Sequence, residues 1–255
     1  MVFSLAQVTQ VRRLTPHMAR ISLAGDELRR LTVACPDAYV KLFFPRPGQE
    51  RPVLPELARD SWYQSYLAMP DDVRPPMRTY TVRAHRGAEI DIDFVLHGDT
   101  GPASRWALGA QPGDTIALFG TGGLHTVPAG TDWQLLIGDE TAVPAIGAIL
   151  ERLAPGTVAR VYIEVDDPAE QQRFTTLGDV QVHWVHRQSR PHGERLLNAV
   201  RLAALPGGTP YGWISGEAGM VKFARRHLVG DRGFPKSAIT FTGYWRRGIT
   251  HDNLV

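Results

Sequence analysis

The segment RTYTVR, residues 78–83, contains residue types that could bind a cofactor. If the segment is a β-strand, Arg78 and Tyr80 share one face, because side chains two positions apart point the same way. A guanidinium can neutralise a phosphate, and a phenol can stack on a flat ring or hydrogen-bond to it. The alternative is a barrel strand with a solvated arginine and a half-buried tyrosine, since aromatic residues favour strands.

The segment HGDTGPASRWA, residues 97–107, suggests a second binding element. Gly98, Gly101 and Pro102 predict a turn, and residues 103–107 can begin a short helix. The free N–H groups at a helix start attract a pyrophosphate, and small residues let it come close. The alternative is an ordinary strand-to-helix turn in which Ser104 is the cap.

The chain has a single cysteine, Cys35. This count excludes an intramolecular disulfide, a Cys-ligated iron–sulfur cluster, a Cys-rich zinc site, a CxxC redox pair and a CxxCH haem attachment. A reducing, cytoplasmic setting follows as the default. His183, His186 and His192 do not predict a metal site, because the first two would lie on opposite faces of a strand.

Charge and hydropathy exclude other classes of protein. The chain has 255 residues, with 28 Lys and Arg against 26 Asp and Glu, which gives a net charge of +2. A net charge this small, without a cluster of basic residues, does not indicate a nucleic-acid partner. No apolar run approaches the roughly 18 residues of a membrane span. The first residues lack the basic region of a signal peptide.

Residues 1 to about 125 have the patterns of strands and turns. Apolar and polar residues alternate at 19–23 and 89–96, and further strands are predicted at 38–44, 77–85 and 115–119. About six short strands without a long helix predict a six-stranded antiparallel β-barrel. Residues 45–76 form a long excursion with one helical turn, either a lid or a packed surface loop.

From about residue 130, strands alternate with helices, which predicts an α/β domain with a parallel sheet. The predicted strands are 133–139, 158–165, 180–185, 211–216 and 237–245, and the helices lie near 143–153, 196–204 and 220–228. The Gly-rich stretch 120–130 marks the boundary, which gives domains 1–125 and 126–255. The GxGxxG fingerprint is absent, so the pattern leaves the choice of nucleotide open.

Six segments in one order resemble the siderophore-interacting proteins, over about residues 5 to 250. They are RTYTVR, DIDFVLHG, GPASRWA, LLIGDETAVPAI, SGE and GYWRRG. The resemblance implies an FAD-binding antiparallel barrel and an NAD(P)H-binding α/β domain, similar to ferredoxin reductases. It also implies a cytoplasmic reductase that passes electrons from NADPH or NADH through FAD to the Fe(III) of a siderophore.

The resemblance implies cofactor-binding roles for the residues that match the family's motifs. For the flavin and its phosphates these are Arg78, Thr79, Tyr80, Thr81, Asp93, Phe94, Val95, His97, Gly101, Ala103 and Ser104; for the nucleotide domain and the C-terminal element near the flavin they are Asp139, Glu140, Thr141, Glu217, Tyr244 and Trp245. In one departure, Gly120-Thr121-Gly122-Gly123 stands where the family has Gly-Pro, so we expect a looser turn there.

The implied chemistry agrees with the cysteine count. A nicotinamide gives up two electrons as a hydride, whereas Fe(III) accepts one. With one cysteine, a flavin is the remaining group that can divide the pair. Siderophore oxygen donors hold Fe(II) more loosely than Fe(III), so reduction releases the iron without a protein metal site. Neither the hydride step nor the electron step needs a general base, so no catalytic side chain is predicted.

Ferric siderophores are often anionic, so we expect a basic mouth near the flavin. The candidate substrate-binding residues are Lys41, Arg46, Arg105, Arg246 and Arg247. Two alternatives stay open: a flavin reductase of the ferredoxin type with a protein electron partner, and a non-enzymatic module that binds a ferric chelate. We expect a monomer in either case.

Overall fold

The computed structural model describes residues 3–56, 62–98 and 101–248. The described chain divides into two compact units. The first contains residues 3–34 and 38–123, and the second contains residues 35–37 and 124–248.

The first unit is a barrel-like, antiparallel sheet in the order β4-β3-β7-β1-β2-β6-β5. Its strands are β1 (Phe3–Thr15), β2 (Met18–Ala24), β3 (Tyr39–Phe43), β4 (Met77–Thr81), β5 (Ala84–Arg86), β6 (Glu89–Val95) and β7 (Thr115–Gly122). Its helices are α1 (Trp62–Leu67) and α2 (Pro102–Gly109). The predicted antiparallel architecture is confirmed, although the sheet has seven strands where six were predicted.

The additional strand arises because the chain turns a corner inside the predicted strand 77–85. The Val82 amide donates to the Ala38 carbonyl, whereas the next amide, of Arg83, donates to the Asp91 carbonyl. The segment therefore pairs first with β3 and then with β6, and β4 and β5 lie at opposite ends of the sheet order. Alternation of side chains could not reveal this change of partner.

The strand β1 was missed because few of its residues are buried. Only Ala6, Val8 and Thr15 of its 13 residues are buried. Two bulges, between Val8 and Gln10 and between Arg13 and Thr15, also interrupt its register with β2. A bulge shifts the inward and outward faces, so no continuous alternation marks this strand.

The excursion at 45–76 is a packed surface segment over its described residues. Helix α1 places Trp62 with its ring centroid 4.6 Å from Phe119 and 6.2 Å from Phe43. Tyr66 packs on Phe43 at 5.7 Å and donates from its hydroxyl to the Pro75 carbonyl. The packed-loop alternative therefore describes this segment, and residues 57–61 lie outside the described ranges.

The turn after the last barrel strand differs from the expectation. Strand β7 continues through Gly122, which pairs with Tyr39 of β3. A Cβ at position 122 would lie 2.4 Å from the Tyr39 ring, so a larger residue would displace that ring. Gly120–Gly122 is thus part of the sheet, and the looser turn that we expected is absent from these residues.

The second unit is a five-stranded parallel sheet in the order β10-β9-β8-β11-β12, which confirms the predicted α/β architecture. Its strands are β8 (Trp133–Gly138), β9 (Val158–Val165), β10 (Asp179–His186), β11 (Pro210–Glu217) and β12 (Ile239–Trp245). Its helices are α3 (Val143–Glu151), α4 (Glu194–Leu202) and α5 (Ala218–Gly230). The longest described helix has 13 residues, and none in the described ranges combines the length and apolarity needed to cross a bilayer.

Residues 35–37 join the second unit through the buried carboxylate of Asp37. Its Oδ1 accepts from the amides of Leu124 and His125, each at 2.9 Å, and its Oδ2 accepts from Trp213 Nε1 at 3.0 Å. Three donors from two remote segments therefore depend on one side chain. The sequence pattern did not predict this role for Asp37.

We expect Asp37→Ala to lower the free energy of unfolding of the second unit by about 3 kcal/mol, because it leaves buried donors without an acceptor. Urea denaturation followed by circular dichroism measures the change. The matched control is Asp179→Ala, at an exposed position with no side-chain bond among the described residues, for which we expect a change within about 0.5 kcal/mol. Equal effects of the two substitutions would contradict the role of Asp37.

Candidate cofactor and substrate site

Strand β4 places the predicted RTYT residues at one end of the first sheet. Among the described strands it pairs only with β3, so one of its edges is unpaired. Arg78 and Tyr80 share one face, as predicted, opposite Leu42 and Val40. The Tyr80 ring packs 4.4 Å from Phe94 and is partly exposed. Burial raises the pKa of Tyr80 well above its usual range, so its hydroxyl stays protonated and can donate a hydrogen bond.

Thr79 and Thr81 lie on the opposite face of β4. Lys41 is the register partner of Thr79, and its Nζ donates to Thr79 Oγ1 at 3.4 Å. The same Nζ lies 6.0 Å from the centre of the Trp62 ring. Burial lowers the pKa of Lys41. Lys41 and Tyr80 therefore belong to opposite faces of the sheet edge.

The end of β6 separates the predicted residues in the same way. Phe94 packs against Tyr80, whereas Asp93 points to the other face by strand alternation. The Asp93 carboxylate accepts two bonds from Arg20, at 2.6 and 2.8 Å, and Arg83 Nε lies 4.0 Å away. The Asp93 side chain is fully buried. The structure gives Asp93 a partner in the barrel wall and places it away from the Tyr80 face.

The turn between β6 and α2 leads to a helix start without a side-chain cap among the described residues. Gly101 is the N-cap of α2, and residues 99 and 100 lie outside the described ranges. Ser104 instead accepts from the His97 amide at 3.2 Å and donates to the Gly98 carbonyl at 2.6 Å, so the alternative that Ser104 is the cap is wrong. Val95 and Ala103 lie at the two sides of this turn.

Two predicted basic residues of the first unit, Arg46 and Arg105, have different surroundings. Arg46 donates through Nε to the Arg74 carbonyl at 2.9 Å and through Nη2 to the Asp71 carbonyl. It therefore stabilises the excursion. Arg105 is exposed on α2.

In the second unit the strand order reverses between β8 and β11. Ligands of open parallel sheets bind beyond the carboxyl ends of the strands at such a point. Asp139 follows β8 there, and its carboxylate is 3% exposed. Its Oδ1 accepts from the Thr141 amide at 2.9 Å, and its Oδ2 accepts from the Glu217 amide at 2.7 Å and from Trp245 Nε1 at 2.9 Å. We call Asp139, Thr141, Glu217 and Trp245 the Asp139 cluster.

The surroundings of Asp139 disfavour the ionised form of its carboxyl group. Burial, and next the negative charge of Glu140, raise the pKa of Asp139 to about 6, although its hydrogen bonds oppose the rise. Glu217 accepts from the Met220 amide at 2.9 Å and so caps α5. The predicted residues Asp139, Thr141, Glu217 and Trp245 are thus in direct contact.

Glu140 points to a second set of partners that sequence reasoning missed. Arg187 donates to both Glu140 oxygens, at 3.0 and 3.1 Å, and to His192 Nδ1 at 3.0 Å. Glu164 lies 3.6 Å from Arg187 and accepts from the Gly193 amide at 2.8 Å, at the start of α4. Burial, followed by the charge of Arg187, lowers the pKa of His192. No sequence signal connects Arg187 with Glu140, which is 47 residues away.

The two aromatic residues that end β12 face opposite sides of the second sheet. Trp245 contacts Asp139, and its ring lies 5.0 Å from His192. The Tyr244 ring lies 6.5 Å from Trp213, on the other side. Arg246 and Arg247 follow in exposed positions, and the Arg247 amide donates to Glu217 at 3.4 Å.

The three histidines considered for a metal have separate partners. His183 stacks on Tyr162 at 4.6 Å, His186 lies 2.8 Å from the Gln171 side chain, and His192 bonds Arg187. Over residues 3–56, 62–98 and 101–248, no group of three or more His, Cys, Asp or Glu side chains is arranged to hold a metal ion.

An antiparallel, barrel-like sheet followed by a parallel α/β sheet defines a two-domain protein with the predicted architecture. Two family models match consecutive parts of the chain, a siderophore-interacting FAD-binding domain over residues 7–125 and a siderophore-interacting protein domain over residues 131–248. The chain belongs to the siderophore-interacting proteins, and the resemblance in its motifs is confirmed.

Named relatives and a solved structure agree with this family. The chain is 32% identical to the NADPH-dependent ferric-chelate reductase of Escherichia coli, over 93% of this chain and 91% of that protein. It is 29% identical to the ferric vibriobactin reductase ViuB of Vibrio cholerae, over 97% and 91%. The crystal structure of a siderophore utilization protein from T. fusca matches with a TM-score of 0.86 and 33% identity, over 98% and 94%.

The geometry predicts that Asp93 acts mainly through Arg20. We expect Asp93→Ala to lower the free energy of unfolding by about 3 kcal/mol, because a largely buried guanidinium loses the carboxylate that accepts two of its hydrogen bonds. Since Arg20→Ala removes the same pair, the double variant should lose less than the sum of the single effects. Urea denaturation of the parent protein, the two single variants and the double variant measures this double-mutant cycle.

The control for this prediction is Asp26→Ala. The Asp26 side chain is fully exposed beside Arg29, so its loss should leave the free energy of unfolding unchanged. Weaker FAD retention by Asp93→Ala with unchanged stability would instead assign Asp93 to the flavin.

Proposed function

We propose that this protein is a flavin-dependent ferric-siderophore reductase that passes electrons from NAD(P)H through FAD to Fe(III) and releases Fe(II). The observation that carries the proposal is the match of both halves of the chain to siderophore-interacting domains, one of them FAD-binding. Relatives that align over nearly the whole chain are ferric-chelate and ferric vibriobactin reductases. The relevant substrate is therefore a ferric siderophore, with the iron as cargo.

The edge of the first sheet fits a flavin dinucleotide. Arg78 supplies a permanent positive charge for a phosphate, and Tyr80 beside it supplies a protonated hydroxyl and a ring. The uncapped start of α2 offers backbone amides to the pyrophosphate, and a Cβ on Gly101 would lie 3.3 Å from His97. When bound, FAD accepts a hydride and passes electrons on singly.

The proposed FAD-binding domain is residues 1–125. In it, Phe94 and the apolar residues behind Tyr80 hold the tyrosine ring and keep water from its inner side. The proposed flavin contacts are Arg78, Thr79, Tyr80, Thr81, Phe94, Val95, His97, Gly101, Ala103 and Ser104. Among them, the Ser104 hydroxyl is already bonded within the turn, so we propose that its backbone amide is the binding group.

The proposed NAD(P)H-binding domain is residues 126–255. The reversal of strand order between β8 and β11 supports a nucleotide site beside Asp139, Glu140, Thr141 and Glu217. Tyr244 and Trp245 end the neighbouring strand, and we propose that they lie near the flavin. Either NADPH or NADH fits this proposal, with ferredoxin as an alternative electron donor. We also propose that the protein is a monomer in the cytoplasm.

A basic mouth for an anionic chelate is the remaining part of the proposal. Lys41, Arg105, Arg246 and Arg247 are its candidate residues. Arg46 contributes less directly, because backbone carbonyls of the excursion occupy its guanidinium. Arg246 is exposed and has no side-chain bond among the described residues, which makes it the most available cation.

The absorption spectrum of the purified protein tests the whole proposal. With FAD bound, NADPH or NADH should bleach the flavin band, and a ferric siderophore should restore it under anaerobic conditions. Arg78→Ala should retain less FAD, whereas the exposed Arg12→Ala of the same sheet should retain as much as the parent protein. Protein that stays colourless with added FAD would favour a binding module, and reoxidation by ferredoxin alone would favour a general flavin reductase.

Removal of Arg246 tests the basic mouth. We expect Arg246→Ala to raise the KM for an anionic ferric chelate about fivefold, because one exposed attraction is worth about 1 kcal/mol. The KM for a neutral chelate should not change, and the difference should shrink as salt screens the charge. The control is Arg173→Ala, an exposed arginine of the same unit. An unchanged KM for the anionic chelate would remove Arg246 from the site.

A further inference from the structure

The carboxylate of Asp139 has no acceptor capacity left for a ligand. Two carboxylate oxygens offer about four acceptor positions. The Thr141 amide and hydroxyl use Oδ1, at 2.9 and 2.5 Å, and the Glu217 amide and Trp245 indole use Oδ2, at 2.7 and 2.9 Å. With 3% of its surface exposed, Asp139 is enclosed by its own chain.

The partners of Asp139 come from the carboxyl ends of three neighbouring strands. Asp139 follows β8, Glu217 ends β11, and Trp245 ends β12. Gly216, beside Glu217, has φ +138°, and a Cβ there would lie 2.5 Å from Asp139 Oδ2. Only glycine allows the β11 backbone to approach the carboxylate this closely. The backbone of β11 is therefore adapted to Asp139.

Trp245 depends on this contact for its orientation. Its ring is partly exposed, and its described contacts are the hydrogen bond to Asp139 and the edge-to-face contact with His192. A hydrogen bond from an indole N–H to a carboxylate is charge-assisted and directional, so it determines the plane of the ring.

We propose that Asp139 is a positioning residue, which holds the Trp245 indole and the Glu217 backbone at the reversal point of the sheet and does not itself contact the nucleotide. The consequence for NAD(P)H rests on the proposed function, because only then does the nucleotide bind beside Glu217, whose backbone Asp139 holds together with the Trp245 indole. The assignment differs from the direct cofactor contact that the DET motif implied for Asp139.

Protonation of Asp139 should weaken its hold on Trp245, because a neutral carboxyl is a poorer acceptor than a carboxylate. The pKa of about 6 places this change on the acidic side of neutrality. The charged groups around the Asp139 cluster are Glu140 after β8, Glu217 after β11, Arg187 and His192 beyond β10, and Arg247 after β12. Of these, Glu140 is the one whose charge raises the pKa of Asp139.

Labelling with ¹⁵N-tryptophan tests the contact without nucleotide or flavin. The chain has six tryptophans, and Trp245→Phe identifies the Trp245 indole signal. This N–H signal should titrate near pH 6 in the parent protein and should move upfield without titrating in Asp139→Asn. The Trp213 indole, which donates to Asp37, is the internal control and should not respond to Asp139→Asn. A Trp245 signal that ignores both pH and Asp139→Asn would overturn the proposal.

Steady-state kinetics test whether Asp139 affects NAD(P)H binding through Trp245. Asp139→Asn and Trp245→Phe should each raise the KM for NAD(P)H about tenfold, as loss of one charge-assisted bond implies, with kcat changed less than about twofold. The double variant should be no worse than either single variant, because both remove one interaction. Asp132→Asn is the matched control, since Asp132 accepts from the Thr209 amide before β8, at the opposite edge of the sheet, and the KM of this variant for NAD(P)H should not change.

The possible results separate the two proposals. Additive effects in the double variant would mean that Asp139 acts independently of Trp245 and would overturn the positioning role. Absence of any NAD(P)H oxidation in the parent protein would overturn the proposed function, whereas the indole titration would still decide the contact. If Asp139→Asn fails to fold, the pH titration of the Trp245 indole signal in His192→Gln, which lacks the neighbouring imidazole, gives the decision.

Discussion

A carboxylate buried in a protein must receive hydrogen bonds or an opposite charge, and this requirement organises both units. In the second unit, Asp139 accepts hydrogen bonds from the ends of three parallel strands, so the carboxyl edge of that sheet has a defined shape. In the first unit, Asp93 and Arg20 join β6 to β2. In each case the partners are remote in sequence. Because the buried carboxylate needs these partners, few other arrangements of the strands that carry the partners are possible.

The same constraint separates structural residues from residues that can bind a ligand. Side chains whose acceptors or donors are already used, such as Asp93, Arg46 and Arg187, stabilise the frame around the site. Arg78 and Tyr80 lie on the edge strand β4, and the start of α2 has no side-chain cap among the described residues. A protein that moves electrons through a bound flavin needs position and electrostatics more than reactive side chains, which agrees with this division.

Sequence patterns predicted most of the second unit and less of the first. Parallel strands are buried on both faces and alternate with helices, so segments such as 133–139 and 158–165 stand out as apolar runs. Strand β1 has few buried residues and two bulges, and the corner at Val82–Arg83 changes the partner of the chain without changing its composition. Among the site residues, motif matches named the members of the Asp139 cluster but not their mutual contacts, and nothing local connects Arg187 with Glu140 or Asp37 with Trp213.

The sequence alone determined the two-domain architecture, the family and the exclusion of cysteine-bound redox centres, because hydrophobic period, motif order and residue counts are local properties of the chain. Only the tertiary structure decided which side chains of each motif lie on the same face of a sheet. Adjacent residues of a strand point to opposite sides, so Tyr80 and Thr79 separate, as do Trp245 and Tyr244. The tertiary structure also decided which charged groups are already paired, because their partners are remote in sequence, 73 residues apart for Arg20 and Asp93 and 176 for Asp37 and Trp213.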